Sequence, residues 1–157
     1  MIGGYSASDS LGEGWLIGIE AGVPIQPRLL RAQEDVGINW GGDGESTGRL
    51  VLGFSPVLPQ AQGASIQPPP SPAAVEQLAN YLRDSVQIPL VFAPMPIQDA
   101  VDLAEWLVHS AVMFSRFTPG PPSVGGPIEV AAITKHEGFK WIRRKHYYDE
   151  EFNPEML

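Results

Sequence analysis

The stretch from Pro94 to Arg144 constrains this chain more than any other, because it reads as one long helix, a Pro/Gly turn and a β-hairpin in succession. The helix is predicted over Ile97 to Phe117. Pro96 opens it, at a position where a missing N–H leaves nothing unpaired. Apolar side chains recur at Ile97, Val101, Ala104, Val108, Ala111 and Val112, and in a second row at Leu103, Trp106, Leu107, Met113 and Phe114. One row alone makes a one-sided surface helix. The two rows together make it apolar nearly all round, which predicts burial between two layers. Thr118 to Gly126 cannot continue it, since three prolines remove donors and fix φ. Ile128, Val130 and Ala132 alternate with Glu129, Ala131 and Ile133, a mostly buried strand by pattern. Lys135-His136-Glu137-Gly138 then turns the chain into a second strand over Phe139 to Ile142.

The residues ahead of this unit are read in order. Ser6 to Gly14 is a loop by composition. Trp15 to Glu20 alternates as a short strand, ended by Ala21-Gly22-Val23-Pro24. Val36 to Trp40 is a second, weaker strand leading into Gly41-Gly42-Asp43-Gly44. Arg49 to Phe54 is an apolar run too short to assign to helix or strand. Residues 56–72, rich in Pro, Gln and Ser, predict a linker or surface loop inserted into a single domain spanning 1–157. Ser71 as cap and Pro72 as first residue start a helix with Val75, Leu78, Ala79 and Leu82 on one side, up to about Ser85. Leu90-Val91-Phe92 reads as a short extended piece. The class is α+β, with antiparallel strands and helices packed on a sheet face.

A chain of 157 residues buries roughly 70% of its unfolded surface as one domain. No run approaches the ~18 apolar residues of a membrane span, and no charged-then-apolar signal opens the chain, so a soluble, cytoplasmic protein is expected. With no cysteine, disulfides, thiol catalysis and thiolate metal sites are excluded. The net charge of −8 argues against a nucleic-acid partner. Yet five of the ten basic residues, Lys135, Lys140, Arg143, Arg144 and Lys145, fall within eleven positions, ahead of Asp149, Glu150, Glu151 and Glu155. That cluster reads as a solvated hairpin edge whose charges discourage strand addition, or as a docking surface for an acidic partner.

Four pieces in order resemble the proteasome β-type subunits and their bacterial homologues. Pro96 to Ala104 is similar to the start of their long helix. Ser123 to Lys135 and Gly138 to Trp141 resemble the Ser/Gly-Gly turn and strand pair that follow it. Ile2-Gly3-Gly4-Tyr5 is similar to a turn before one of their mid-chain strands, and Gly41 to Gly44 sits where they place a small-residue loop lining the active-site cleft. The resemblance implies the C-terminal part of an N-terminal-nucleophile hydrolase fold, two stacked antiparallel sheets between helix layers. It also implies ring assembly with like or related subunits, and amide hydrolysis by an N-terminal Thr. Gly41, Gly42, Asp43, Ser123, Gly125 and Gly126 are the cleft-lining candidates it marks. The nucleophile itself is missing. The chain contains no Gly-Thr or Gly-Ser step, and its threonines follow Ser46, Phe117 and Ile133. A non-catalytic homologue or subunit fragment is the reading, inactive by itself and without cofactor. The alternative is a self-contained α+β module that binds a protein through its basic 135–145 edge.

Other candidates divide between chemistry and packing. Asp102, Glu105 and His109 share one helix edge, as an acid–base or metal cluster or as a polar stripe at a subunit contact. His136 and His146 lie away from it, in a turn and a tail. Gly41 to Gly44 lacks the Lys and Ser/Thr of a phosphate loop, and Ser123 has no His or Lys base beside it in sequence. Trp15, Trp40, Trp106 and Trp141 read as core or interface fillers. The interface candidates are Trp106, His109, Lys140, Arg143 and Arg144.

Overall fold

A computed structural model describes residues 1–7 and 11–145. It is a mixed α+β structure of four helices and small antiparallel sheets. The chain divides into two compact units, Trp40–Gly126 and Met1–Asn39 with Pro127–Leu157.

The first and last segments form an all-β unit. β1 (Ile2–Gly4), β2 (Glu13–Leu16) and β5 (Arg28–Arg31) make a three-stranded sheet in the order β1-β2-β5, with Ile2 opposite Trp15 and Trp15 opposite Leu29. β3 (Ile19–Glu20) and β4 (Val23–Pro24) form a minimal hairpin whose two central residues, Ala21 and Gly22, both have positive φ, at 49° and 82°. That is the signature of a tight turn matched to strand twist. β6 (Val130–Thr134) pairs antiparallel with β7 (Gly138–Arg143), and Gly138 at φ 68° ends the turn. The predicted strand Trp15 to Glu20 is thus two strands, and Val36 to Trp40 is no strand at all. β5 takes that place, although Arg28-Leu29-Leu30-Arg31 lacks the alternation that marks a strand in sequence. β6 is not mostly buried either. Val130 is buried, but Ala131 and Ile133 are exposed.

The unit from Trp40 to Gly126 contains helices and, among the described residues, no strand. α1 (Glu45–Leu52) resolves the ambiguous run at Arg49 to Phe54 as a helix, closed by Gly53 in the left-handed conformation. α2 (Leu58–Ala64) replaces the linker predicted over 56–72. Pro59 falls in its first turn, where no N–H is needed, and is fully buried. Gly63 lies against Val75 and Pro70 so closely that a Cβ would sit 3.1 Å and 3.2 Å from their carbons. Proline here packs a helix instead of preventing one. α3 (Pro72–Val86) begins as predicted, with the Ala74 N–H donating to Ser71 Oγ at 3.2 Å.

α4 (Ile97–Phe117) has the predicted bounds, with Pro96 as its cap and not its first residue. Its predicted burial between two layers does not occur. Leu107 and Ser115 are buried, whereas Trp106 is 50% and Phe117 75% exposed. The reason is length. α4 is about 32 Å long at 1.5 Å per residue, and α1, the helix packed along it, is about 12 Å.

Candidate functional site

Two of the cleft candidates, Asp43 and Ser123, meet although they are 80 residues apart. Ser123 Oγ donates to Asp43 Oδ2 at 2.5 Å, and Asp43 Oδ1 accepts the Glu45 N–H at 3.3 Å ahead of α1. The turn after α4 therefore closes onto the loop before α1. Behind this pair stands Ser115, buried on α4. Its Oγ accepts the N–H of Ser123 at 2.7 Å and of Val124 at 3.3 Å, and lies 3.1 Å from Ser123 Oγ. Leu107 and Ser115 are the two buried residues of α4, and Ser115 lies in line with Val108 and Ala111.

The chemistry of this cluster is limited by its charges. The Ser123 hydroxyl, and then the Glu45 N–H, stabilise the Asp43 carboxylate and hold its pKa below the ordinary 3.8. A general base works best near the operating pH, and a carboxylate shifted downward is further from it. The partners of Ser123 Oγ are a carboxylate and a second serine, with no imidazole between them. The arrangement clasps the turn after α4 onto the loop before α1. Gly41, Gly42, Gly125 and Gly126 flank it and are exposed, with Gly42 and Gly126 at φ 81° and 90°.

No protein-family model, curated protein or solved structure matches the chain.

Asp102 accepts from Gln98 Nε2 at 2.8 Å, and His109 is exposed. Among the described residues no three His, Asp or Glu side chains are grouped to hold a metal. His136 lies in the β6–β7 turn, and His146 is outside the described residues. Trp106 is half exposed on α4. A groove of about 680 Å³ runs between α1 and the end of α4, lined by Leu50, Met113, Phe114 and Phe117 with Ser46 and Arg49. Arg49 is already engaged by Glu45, at 2.6 Å and 2.8 Å.

The remaining candidates, Lys140, Arg143 and Arg144, lie on or just after β7, whose six residues are all exposed. Phe139 and Trp141 project from one face of it, ring centroids 5.1 Å apart and edge to face, and the Arg144 guanidinium lies 5.7 Å from the Trp141 ring centre. Ile133 opposite Phe139 and Ala131 opposite Trp141 extend the same apolar face onto β6. Ser115 is the residue that sequence reasoning passed over. Its signal was a hydroxyl seven positions after Val108 and four after Ala111, in line with an apolar row of α4.

Proposed function

We propose that this chain works by assembly with another protein chain and not by catalysis. One observation carries the reading. Among the described residues of the β unit, Val130 is the single buried large hydrophobic, while Ile2, Trp15, Ile19, Ile133, Phe139, Trp141 and Ile142 are among fourteen that stay exposed. Apolar surface removed from water contributes roughly 25 cal/mol per Å², and a unit that buries so little of it needs a partner's surface to supply the rest. The narrower version, a non-catalytic proteasome-like subunit in a larger peptidase assembly, is supported by the order of the four sequence pieces. It requires a sheet against α4, which an interacting subunit would have to provide.

Sedimentation velocity of the purified chain, with a thermal melt read by near-UV circular dichroism, tests the general proposal. Self-association, or a monomer melting without a sharp transition, is the expected result. A monomer that melts cooperatively and leaves a hydrophobic dye dark would overturn it. Peptidase activity of the isolated chain would overturn the non-catalytic part.

A further inference from the structure

We infer that two copies of this chain pair through α4, their α4 helices lying antiparallel about a two-fold axis. The inference rests on the assembly reading and names its partner, a second copy. A helix seated there takes the place that the proteasome-like version gives to a sheet.

Along α4, Leu103, Trp106, Ser110, Met113 and Phe117 follow one another at steps of three and four. That spacing draws a single seam down a helix, and it is the spacing by which two helices interlock. None of the five is buried, and Trp106 and Phe117 are 50% and 75% exposed. The seam therefore stays open in the isolated chain. Its later half, Ser110, Met113 and Phe117, belongs to the wall of the groove of about 680 Å³ beside α1.

The charges beside the seam choose the occupant and its direction. Asp102, His109 and Arg116 recur every seven residues along one flank, and all three are exposed. Asp102 accepts from the neutral Gln98 amide, and the Arg116 guanidinium stands 5.8 Å from the Phe117 ring centre, so neither charge is met by an opposite one on α4. They do not meet each other within one copy, being fourteen positions, or about 21 Å, apart along the helix. A second α4 laid parallel would put Asp102 beside Asp102 and Arg116 beside Arg116, and like charges on one flank repel. Laid antiparallel about His109, it sets Asp102 of each copy beside Arg116 of the other, twice by symmetry, with the helix dipoles opposed. The same register brings Trp106 of each copy over Ser110 of the other, a large side chain against a small one at the wall of the groove. A uniformly acidic or basic helix would suit one end of this flank and repel the other. A second copy suits both.

The test uses the full chain, sedimented over a concentration series, with a dimer as the expected species. Arg116→Asp is expected to raise the dimer dissociation constant at least about tenfold, since it turns two attractive pairs into two repulsive ones. Adding Asp102→Arg to Arg116→Asp exchanges the charges and is expected to restore the dimer. That rescue shows that the single variant remains folded, and no contact within one copy could produce it. The chain has no cysteine, so His109→Cys supplies one thiol per copy at the two-fold axis. A short bis-maleimide is expected to link that variant into covalent dimers and to leave Gln77→Cys, on an exposed position of α3, as monomer. Failure of the exchanged pair to restore the dimer, or equal linking of the two cysteine variants, would overturn the inference. If self-association is the same with and without Arg116→Asp, the α4 contact falls and the assembly reading stands on another surface. A monomer that melts without a sharp transition likewise removes the second copy and leaves the assembly reading to a different chain. A cooperative, dye-dark monomer overturns both.

Discussion

Ser115 is a hydroxyl where the pattern of α4 calls for an apolar side chain, and it earns that position by accepting two backbone N–H groups from a turn that has no ladder to join. Replacing it with Ala removes both bonds from a half-exposed turn, and a hydrogen bond contributes about 0.5–1.5 kcal/mol net. Ser115→Ala is therefore expected to lower the urea midpoint of the helical circular-dichroism signal, and an unchanged midpoint would deny Ser115 the clasp. Asp43 gives a pH signature of the same cluster. Its folded pKa lies below the ordinary value, so its contribution is fully present above the unfolded pKa and is lost as pH falls through the folded one. In Ser123→Ala the carboxyl resonance of Asp43 should titrate at higher pH than in the native chain, toward the ordinary value, because the larger of its two stabilising hydrogen bonds is gone. Asp43 and Ser123 were marked in the sequence by resemblance, as cleft residues. Their direct contact was not legible there, since no local rule joins residues 80 apart.

At the scale of elements, local signals held where a residue's own backbone decides and failed where a neighbour does. Ser71-Pro72 starts α3, because a hydroxyl acceptor and a proline need nothing from elsewhere. The Pro-rich stretch that became α2 shows the opposite case, since Gly63 leaves the room that Val75 of α3 and Pro70 fill. α1 makes the same point through Gly48. A Cβ there would lie 2.3 Å from Pro56 Cγ, and a proline ring has no rotamer by which to withdraw. Gly48→Ala gains about 1 kcal/mol of helix propensity but meets an overpacking cost of about 1–3 kcal/mol. A net fall in the urea midpoint is expected, and a rise would mean that the contact yields freely. The β3–β4 hairpin offers a gain instead. Ala21 holds φ at 49°, a left-handed conformation costing an L-residue about 1–2 kcal/mol, and Ala21→Gly removes that cost while adding freedom to the unfolded chain. A net stabilisation of about 0.5 kcal/mol or more is expected, read as slower amide exchange at Glu20 and Val23.

For the whole molecule, apolar residues are present in an ordinary proportion, 43% of the chain, yet few of them are buried. The isolated chain should therefore bind a hydrophobic dye in its native buffer, and the dye should be displaced when a partner docks. A dye-dark isolated chain would place those residues in a core. Among the described residues no helix is long and apolar enough to cross a membrane. The bounds of α4, the start of α3 and the β6–β7 turn followed from the chain itself, because each rests on side chains within a few positions of one another. So did the mixed α+β class. Tertiary structure alone decided that β5 pairs with β2, that a proline-rich loop is a helix, that Ser115 clasps the turn and that α4 stays wet over much of its length. Pattern reports what a residue would prefer to bury, whereas burial depends on how much of another element lies within reach. An eight-residue helix cannot cover one of twenty-one residues, whatever the sequence of either prefers.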